Sequence, residues 1–390
     1  MQTDKRAALL VFISLAALLA VSCKSGPQNN ANAAKSKSAH WIAQYRSPEL
    51  AKYAGTNMAE IFYSSISVVS PSVVVVAGDM PNPKLSGERV GVIVRTSDGG
   101  QSWAETTIEQ QGAHVTALNS VHFINPSEGW AVGADLSPEG TFIAPYLLKT
   151  TDGGAAWTIT KINFQQVPTS VFFIDANTGW MGGATPPLGE EEGSGGPSKI
   201  LGTTDGGHTW QPQINVPVSI FDLDFLDPLN GWACGTKGAI YHTTDGGRTW
   251  NSQRSELEPG EGPVNLTSEG LKQFRMLGIQ FTDAQNGFAA ASSEEEDIGR
   301  LLVTSNGGQV WTRKVGGDAG LRDVAFISPK EGWFLPDKGQ YIYHTIDGAS
   351  SLLSEPKTFE QEVTLVRLGA ADAAHVWAVG GGAIFYRVTD

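Results

Sequence analysis

Apolar and polar positions alternate with a period of two in short stretches that return along the chain: Val121 and Phe123, Val171 and Phe173, Leu223 and Phe225, Ile279 and Phe281, Val324 and Phe326. Successive side chains of a strand point to opposite faces, so this alternation predicts half-buried strands. A polar turn follows each stretch, and an aromatic stands seven residues after the second apolar position: Trp130 after Phe123, Trp180 after Phe173, Trp232 after Phe225, Phe288 after Phe281, Trp333 after Phe326. The same interval relates Val75 to Val68 near the start and Trp377 to Ala370 near the end, which makes seven copies. A second motif, Thr-x-Asp-Gly-Gly-x-x-Trp, alternates with the first at 96–103, 150–157, 203–210 and 243–250; Asn306 replaces Asp at 304–311, and a worn copy lies at 345–352.

Each unit reads as four short strands. Strand A is the alternating stretch, B starts at Gly-aromatic, C runs into the Thr-x-Asp turn and D begins at the Trp that follows. Four-stranded units repeated seven times predict an all-β, seven-bladed β-propeller over residues 41–390. The seventh unit ends after its third strand. The segment 41–65, which contains Ile61, Phe62 and Tyr63, is expected to supply the missing outer strand, so that an N-terminal strand closes the ring and covers an edge that would otherwise pair with other chains.

The Asp-Gly-Gly turn explains itself without catalysis. An Asp side chain accepts hydrogen bonds from backbone N–H groups of its own hairpin, and the glycines take positive φ. Asp98, Asp152, Asp205, Asp245, Asn306 and Asp347 are read as structural on that ground. No catalytic residue is assigned. The histidines include no His-x-His or His-x-x-x-His pair and the two cysteines lie far apart, so no metal site is expected. A phosphate-cradling loop is also missing, and no cofactor is expected. Asp222, Asp224, Asp227 and Asn230 resemble a calcium loop only loosely, without EF-hand spacing, and read as strand ends and a turn.

These motifs are Asp-boxes, or BNR repeats, and over residues 60–390 the chain resembles the photosystem assembly factors of the Ycf48/Hcf136 type. The resemblance implies a seven-bladed propeller that binds membrane-protein assembly intermediates: a protein-binding scaffold with a protein partner. Those relatives present arginines near the central pore. Arg322 and Arg367, at or just before strand A, are the candidates here, where other units hold Ser120, Ser170 and Asp222. Sialidases and some xyloglucan-degrading enzymes also use Asp-boxes, so a glycoside hydrolase with a carbohydrate ligand is the alternative. Glycoside cleavage needs a carboxyl pair, or a Tyr nucleophile with a carboxylate partner, and no such pair stands out in the sequence.

The first residues read as an address. Lys5 and Arg6 precede an apolar run over 7–21, short for a membrane span and suited to a secretory signal. Leu19-Ala20-Val21-Ser22-Cys23 resembles a lipobox, with Cys23 as the lipidation site and residues 1–23 as the signal; cleavage by an ordinary signal peptidase near Ser22 is the other reading. The polar stretch 24–40 reads as a tether. Export to the cell envelope follows, with the outer membrane, facing the periplasm, favoured by Lys24 in a cell with two membranes. Lipidation of Cys23 leaves Cys234 alone, a small buried hydrophobe with no disulfide.

Charge adds one candidate surface and removes one partner class. A net charge of −13 disfavours nucleic acid, whose binding draws on clustered Lys and Arg. The connections between B and C and between D and A vary in length and are acidic, carrying Glu190, Glu191, Glu192, Glu294, Glu295, Glu296 and Asp297. Long loops on a rigid frame are where binding resides, and solvated charge runs also keep loops soluble.

Overall fold

The computed structural model describes residues 39–49, 61–85, 87–110, 113–137, 140–185, 196–253, 274–293, 298–317, 320–358 and 363–389. They form seven four-stranded antiparallel sheets and one two-stranded hairpin, Glu109–Gln110 with Ala113–His114. The first sheet takes its strands in chain order, Phe62–Val68, Val74–Pro81, Arg89–Thr96 and Ala104–Thr107. Five further sheets repeat that order. Their innermost strands are Ala117–Phe123, Val167–Phe173, Ile220–Phe225, Arg275–Phe281 and Leu321–Phe326; Arg367–Asp372 is that of the seventh. Inner strands touch in succession and the last touches the first, so the sheets are the blades of a closed propeller. Among the described residues no helix is long and apolar enough to cross a membrane.

Blade 7 is built from both ends of the chain. Its strands Arg367–Asp372, His375–Gly380 and Ala383–Thr389 are completed by Ala39–Arg46, paired antiparallel with Ala39 opposite Thr389 and Trp41 opposite Arg387. An N-terminal strand therefore closes the ring, as the missing fourth strand predicts. Phe62 and Tyr63, expected in that closing strand, instead begin the inner strand of blade 1, opposite Asp79 and Gly78. The reason is packing: Tyr63 is fully buried in the seam between blades 7 and 1 beside Trp377 and Val379.

The core lies between blades. Each cluster joins residues of neighbouring sheets, as Trp130, Val132 and Leu147 of blade 2 join Val171, Phe173 and Met181 of blade 3. The strand-A Phe is the hinge of this packing. Phe173 stacks on Trp130 of the preceding blade at 3.9 Å and takes the edge of Trp210 from its own blade at 5.9 Å. Phe225 is held likewise by Trp180 and Trp250, and Phe281 by Trp232 and Trp311. Offset stacks and edge-to-face contacts suit the ring quadrupoles, and each such side chain buries about 150–250 Å². The Gly before the strand-B aromatic in blades 2 to 6 is required by the same ring: a Cβ on Gly179 would lie 2.6 Å from Phe173, and one on Gly231 2.1 Å from Phe225.

Candidate functional site

Inner strands expose an edge to the channel, and their N–H groups need partners. Side chains of the preceding blade provide them. A register shift in six inner strands precedes Ser65, Ser120, Ser170, Asp222, Gly278 and Asp323, and the bulge re-aims the residue it skips. The skipped residues donate across the seam: Ser64 Oγ to Leu118 O at 2.5 Å, Asn119 Nδ2 to Pro168 O at 2.8 Å, Thr169 Oγ1 to Ile220 O at 2.5 Å. Residues after the shift accept: Val121 N donates to Ser65 Oγ, Val171 N to Ser120 Oγ, Ile279 N to Asp222 Oδ2 and Leu368 N to Asp323 Oδ2, at 3.1, 3.2, 3.1 and 2.7 Å. One layer further on, Phe281 N donates to Asp224 Oδ2 and Phe326 N to Gln280 Oε1.

Three carboxylates thus serve as seam acceptors, and their burial leaves a mark. Asp224 and Asp323 are pushed up to about 7, chiefly by desolvation, with Asp222 adding repulsion and backbone donors pulling them back. Asp222 is raised for the same first reason and held down by Arg367. Burial also lowers His122, in the inner strand of blade 2 against Phe172, to about 4.

Arg367 stands at the level of Ser120, Ser170, Asp222 and Asp323, three positions before its strand's Ala370, and its charge acts on Asp222 and Asp323. Arg322 is different. It is the residue skipped by the blade 6 bulge, between Leu321 and Asp323, and corresponds to Ser64, Asn119 and Thr169. That corrects the equivalence with Ser120 and Ser170 drawn from sequence spacing, which a one-residue bulge shifts.

The Asp-boxes line the opposite side of the strands. Thr203 Oγ1 donates to Asp205 Oδ1 at 2.8 Å and accepts from Gly207 N at 3.0 Å; Thr209 N and Oγ1 donate to the two carboxylate oxygens at 2.9 and 2.6 Å. The boxes of Asp98, Asp152, Asp245, Asn306 and Asp347 repeat the bond from the amide four residues on. Hydrogen bonds from that residue hold Asp98, Asp205 and Asp245 down at about 2. In the worn box of blade 6, Ala349 keeps the turn at φ 65° and still donates to Thr345 Oγ1.

Box carbonyls then receive the neighbouring blade. Trp130 Nε1 donates to Gly206 O, Trp180 to Gly246 O and Trp232 to Gly307 O, at 3.2, 3.1 and 3.3 Å. A Gln three residues after the box Trp reaches the same atoms: Gln213 donates to Gly246 O and Gln253 to Gly307 O. Trp41 and Gln44 of the closing strand have this same Trp-x-x-Gln spacing, and Gln44 donates to Gly99 O while accepting from Trp377. The repeat is the signal by which the closing strand is identifiable in the sequence.

Blade 7 offers blade 6 no box. Glu355 occupies the Gln position there and accepts instead from Trp41 Nε1 at 3.1 Å and from Arg387, whose Nε and Nη2 lie 2.9 and 2.8 Å from Oε1. His344 Nδ1 lies 3.2 Å from the same carboxylate. Trp333 Nε1, without a box carbonyl to reach, has no hydrogen-bond partner, and its ring lies between His344 and the Arg387 guanidinium. On the other side of blade 7, Tyr45, Tyr63 and Ser47 all donate to Glu105. Desolvation first, then the Glu105 charge, raises both phenols, the reverse of what activates a nucleophile.

On the loop side, the described residues knit blades 1 and 2 together. His114 bridges Asp135 Oδ1 at 2.8 Å and Glu88 Oε2 at 3.1 Å, and Arg89 pairs with Asp79. The acidic candidates Glu190, Glu191, Glu192, Glu294, Glu295, Glu296 and Asp297 lie outside the described residues, as does Cys23. Cys234 is fully buried, its thiol raised by burial and donating to Met276 O. Asp227 accepts from Leu229 N and Asn230 N in a turn, away from Asp222 and Asp224 in the channel wall. Among the described residues no group of three His, Cys, Asp or Glu is placed to hold a metal ion.

Residues 211–316, from the outer strand of blade 3 to that of blade 5, match the family model of the photosynthesis system II assembly factor YCF48. Among curated protein sequences none matches the chain. The structure of YCF48 bound to D1 peptide is similar over 90% of this chain and 97% of that one, at 17% identity and a TM-score of 0.59. YCF48 from Cyanidioschyzon merolae gives 89% and 98%, 18% identity and 0.58. The GH74 xyloglucanase from Xanthomonas campestris is similar over 83% of this chain and 51% of its own length, at 13% identity and 0.54. With its seven sheets and its ring of Asp-boxes, the chain is a seven-bladed Asp-box β-propeller, similar in fold to YCF48 and matching that family's model over residues 211–316.

Proposed function

We propose that the chain is an exported protein, anchored to a lipid surface through Cys23, that serves as a binding platform for a membrane protein during its assembly. The family match over blades 3 to 5 carries the proposal. YCF48 solved with a D1 peptide gives the precedent of a similar ring holding a peptide. The charged run, apolar run and lipobox of residues 5–23 support the anchor. Two places on the ring suit a partner: the acidic connections of blades 3 and 5, which would take a basic or cation-bridged segment, and the channel around Arg367 and Arg322.

Cross-linking in membranes of the source organism, with the anchor intact, tests this. A specific membrane protein should be recovered on the propeller. Recovery of nothing beyond what an unrelated lipid-anchored domain recovers would end the proposal. The Asp-box glycosidase reading is separated by assay on chromogenic glycosides, where turnover abolished by one carboxylate replacement would put an enzyme in place of the platform.

A further inference from the structure

The closing strand begins at a defined place. In the other blades the outer strand starts from an Asp-box: Gln211 lies opposite Gly202, and the box fills the turn between them. In blade 7 the pair at that end is Ala39 opposite Thr389, two pairs beyond Trp41 opposite Arg387. Trp41 holds the box-Trp position, since it donates to Glu355 as Trp250 donates to Gln213. Residue 39 therefore enters the fold where the seventh Asp-box would stand, on the side of the box turns, while the B–C and D–A connections lie on the other side.

We infer that the Asp-box side of the ring faces the lipid surface and that the loop side, with the channel mouth at Arg367, is turned away from it toward the partner. This rests on anchoring at Cys23. The fifteen residues between Cys23 and residue 39 reach at most ~50 Å. The ring is ~26 Å deep along the eight residues of its closing strand, Ala39–Arg46. Bringing the loop side to the membrane would take up about half of the tether's reach in running back along the depth of the ring, whereas the box side requires none of it. The chemistry of the two sides agrees. Box carboxylates and carbonyls are already occupied by their own turns and by neighbouring Trp and Gln donors. In the neighbouring blade 6 box, Ile346 at 57% and Leu352 at 37% exposure replace the polar residue and the Trp of a full box, giving that side an apolar spot.

The lipidated full-length protein, reconstituted on vesicles of phosphatidylethanolamine and phosphatidylglycerol carrying a head-group energy acceptor, tests the orientation. A donor dye is placed on one introduced cysteine at a time: Ser97→Cys and Thr204→Cys on the box side, Thr141→Cys and Gln340→Cys on the loop side, with Cys234 buried and unreactive. Both box-side donors should lose more emission than both loop-side donors. Equal losses, greater losses on the loop side, or losses that follow distance from blade 7 irrespective of side would overturn the orientation while leaving the anchor standing. Flotation of the same protein with the vesicles reads the anchor separately: wild type should float and Cys23→Ala should not. A wild-type chain that fails to float overturns the anchor and the orientation together.

Discussion

In blades 3, 4 and 5 a single phenylalanine joins three interactions: a stacked Trp from the preceding sheet, the edge of its own box Trp, and the bare Gly that lets the ring lie flat. Trp180 shows what removal would cost. Its ring stacks on Phe225 at 3.6 Å and its indole reaches Gly246, both in the next blade. Trp180→Ala should lower stability by about 3–5 kcal/mol, measured by denaturant unfolding. A loss under about 1 kcal/mol would mean the seam closes around the gap, as partly collapsing cavities do. Asp323 tests the other kind of seam contact. Its folded pKa of about 7 lies above the usual carboxylate value of 3.8, so its contribution to stability is fullest below about 4 and declines as pH rises to about 7. Asp224 behaves in the same direction. Melting curves across this range should show that decline, and Asp323→Asn should reduce it; a slope unchanged by the substitution would place the titration elsewhere.

At the level of the strand, closure depends on a latch where the repeat is broken. Glu355 is 3% exposed and Arg387 7%, and removing one partner of such a pair leaves a buried charge. Glu355→Gln should cost about 3–5 kcal/mol, with hydrogen exchange accelerating first in Ala39–Arg46. Uniform acceleration around the ring would show that the latch does not act on the closing strand. This part of the fold was half legible. Seven strand-A copies and six boxes were enough to demand a borrowed outer strand, but Ile61-Phe62-Tyr63 is the more hydrophobic candidate and hydrophobicity alone pointed to it. Trp-x-x-Gln at 41–44 carries the decision, because the Gln amide must reach a box carbonyl. The bulge in the inner strands was hidden for a similar reason: it changes register without changing the apolar spacing, and so Arg322 was aligned one residue away from its place. The carboxylate acceptors of the channel had no signal along the chain, since their partners lie about fifty residues ahead in the next blade.

For the whole molecule, the box turns and the channel wall respond to acid in opposite ways. Asp98, Asp205 and Asp245 are held at about 2, so the stability they contribute is present above about 4 and lost as pH falls toward 2. Between about pH 4 and 6.5 the channel carboxylates are opposed by His122, lowered to about 4, whose protonation disfavours the fold, so the acid limb below about 4 is the one that belongs to the boxes. Asp205→Asn, a change that Asn306 already tolerates in blade 5, should flatten the acid limb and leave the upper one alone. Partner capture has its own test: Glu294, Glu295 and Glu296 replaced together by Gln should slow association, with the wild-type rate falling as salt rises. Unchanged capture by a folded variant would remove the acidic connections from the mechanism and leave the channel at Arg367.

The pairing of Ala39 with Thr389 also sets a clock. The outer strand of the last blade is made before every other strand of the ring, and its partner Ala383–Thr389 after all of them. At ordinary synthesis rates the two are separated by on the order of 20–70 s. Throughout that interval blade 7 is incomplete, Trp41 has no Glu355 to hold it, and the emerging sheets present an open edge. Whatever shields a nascent chain for those seconds therefore acts on this ring before any partner does.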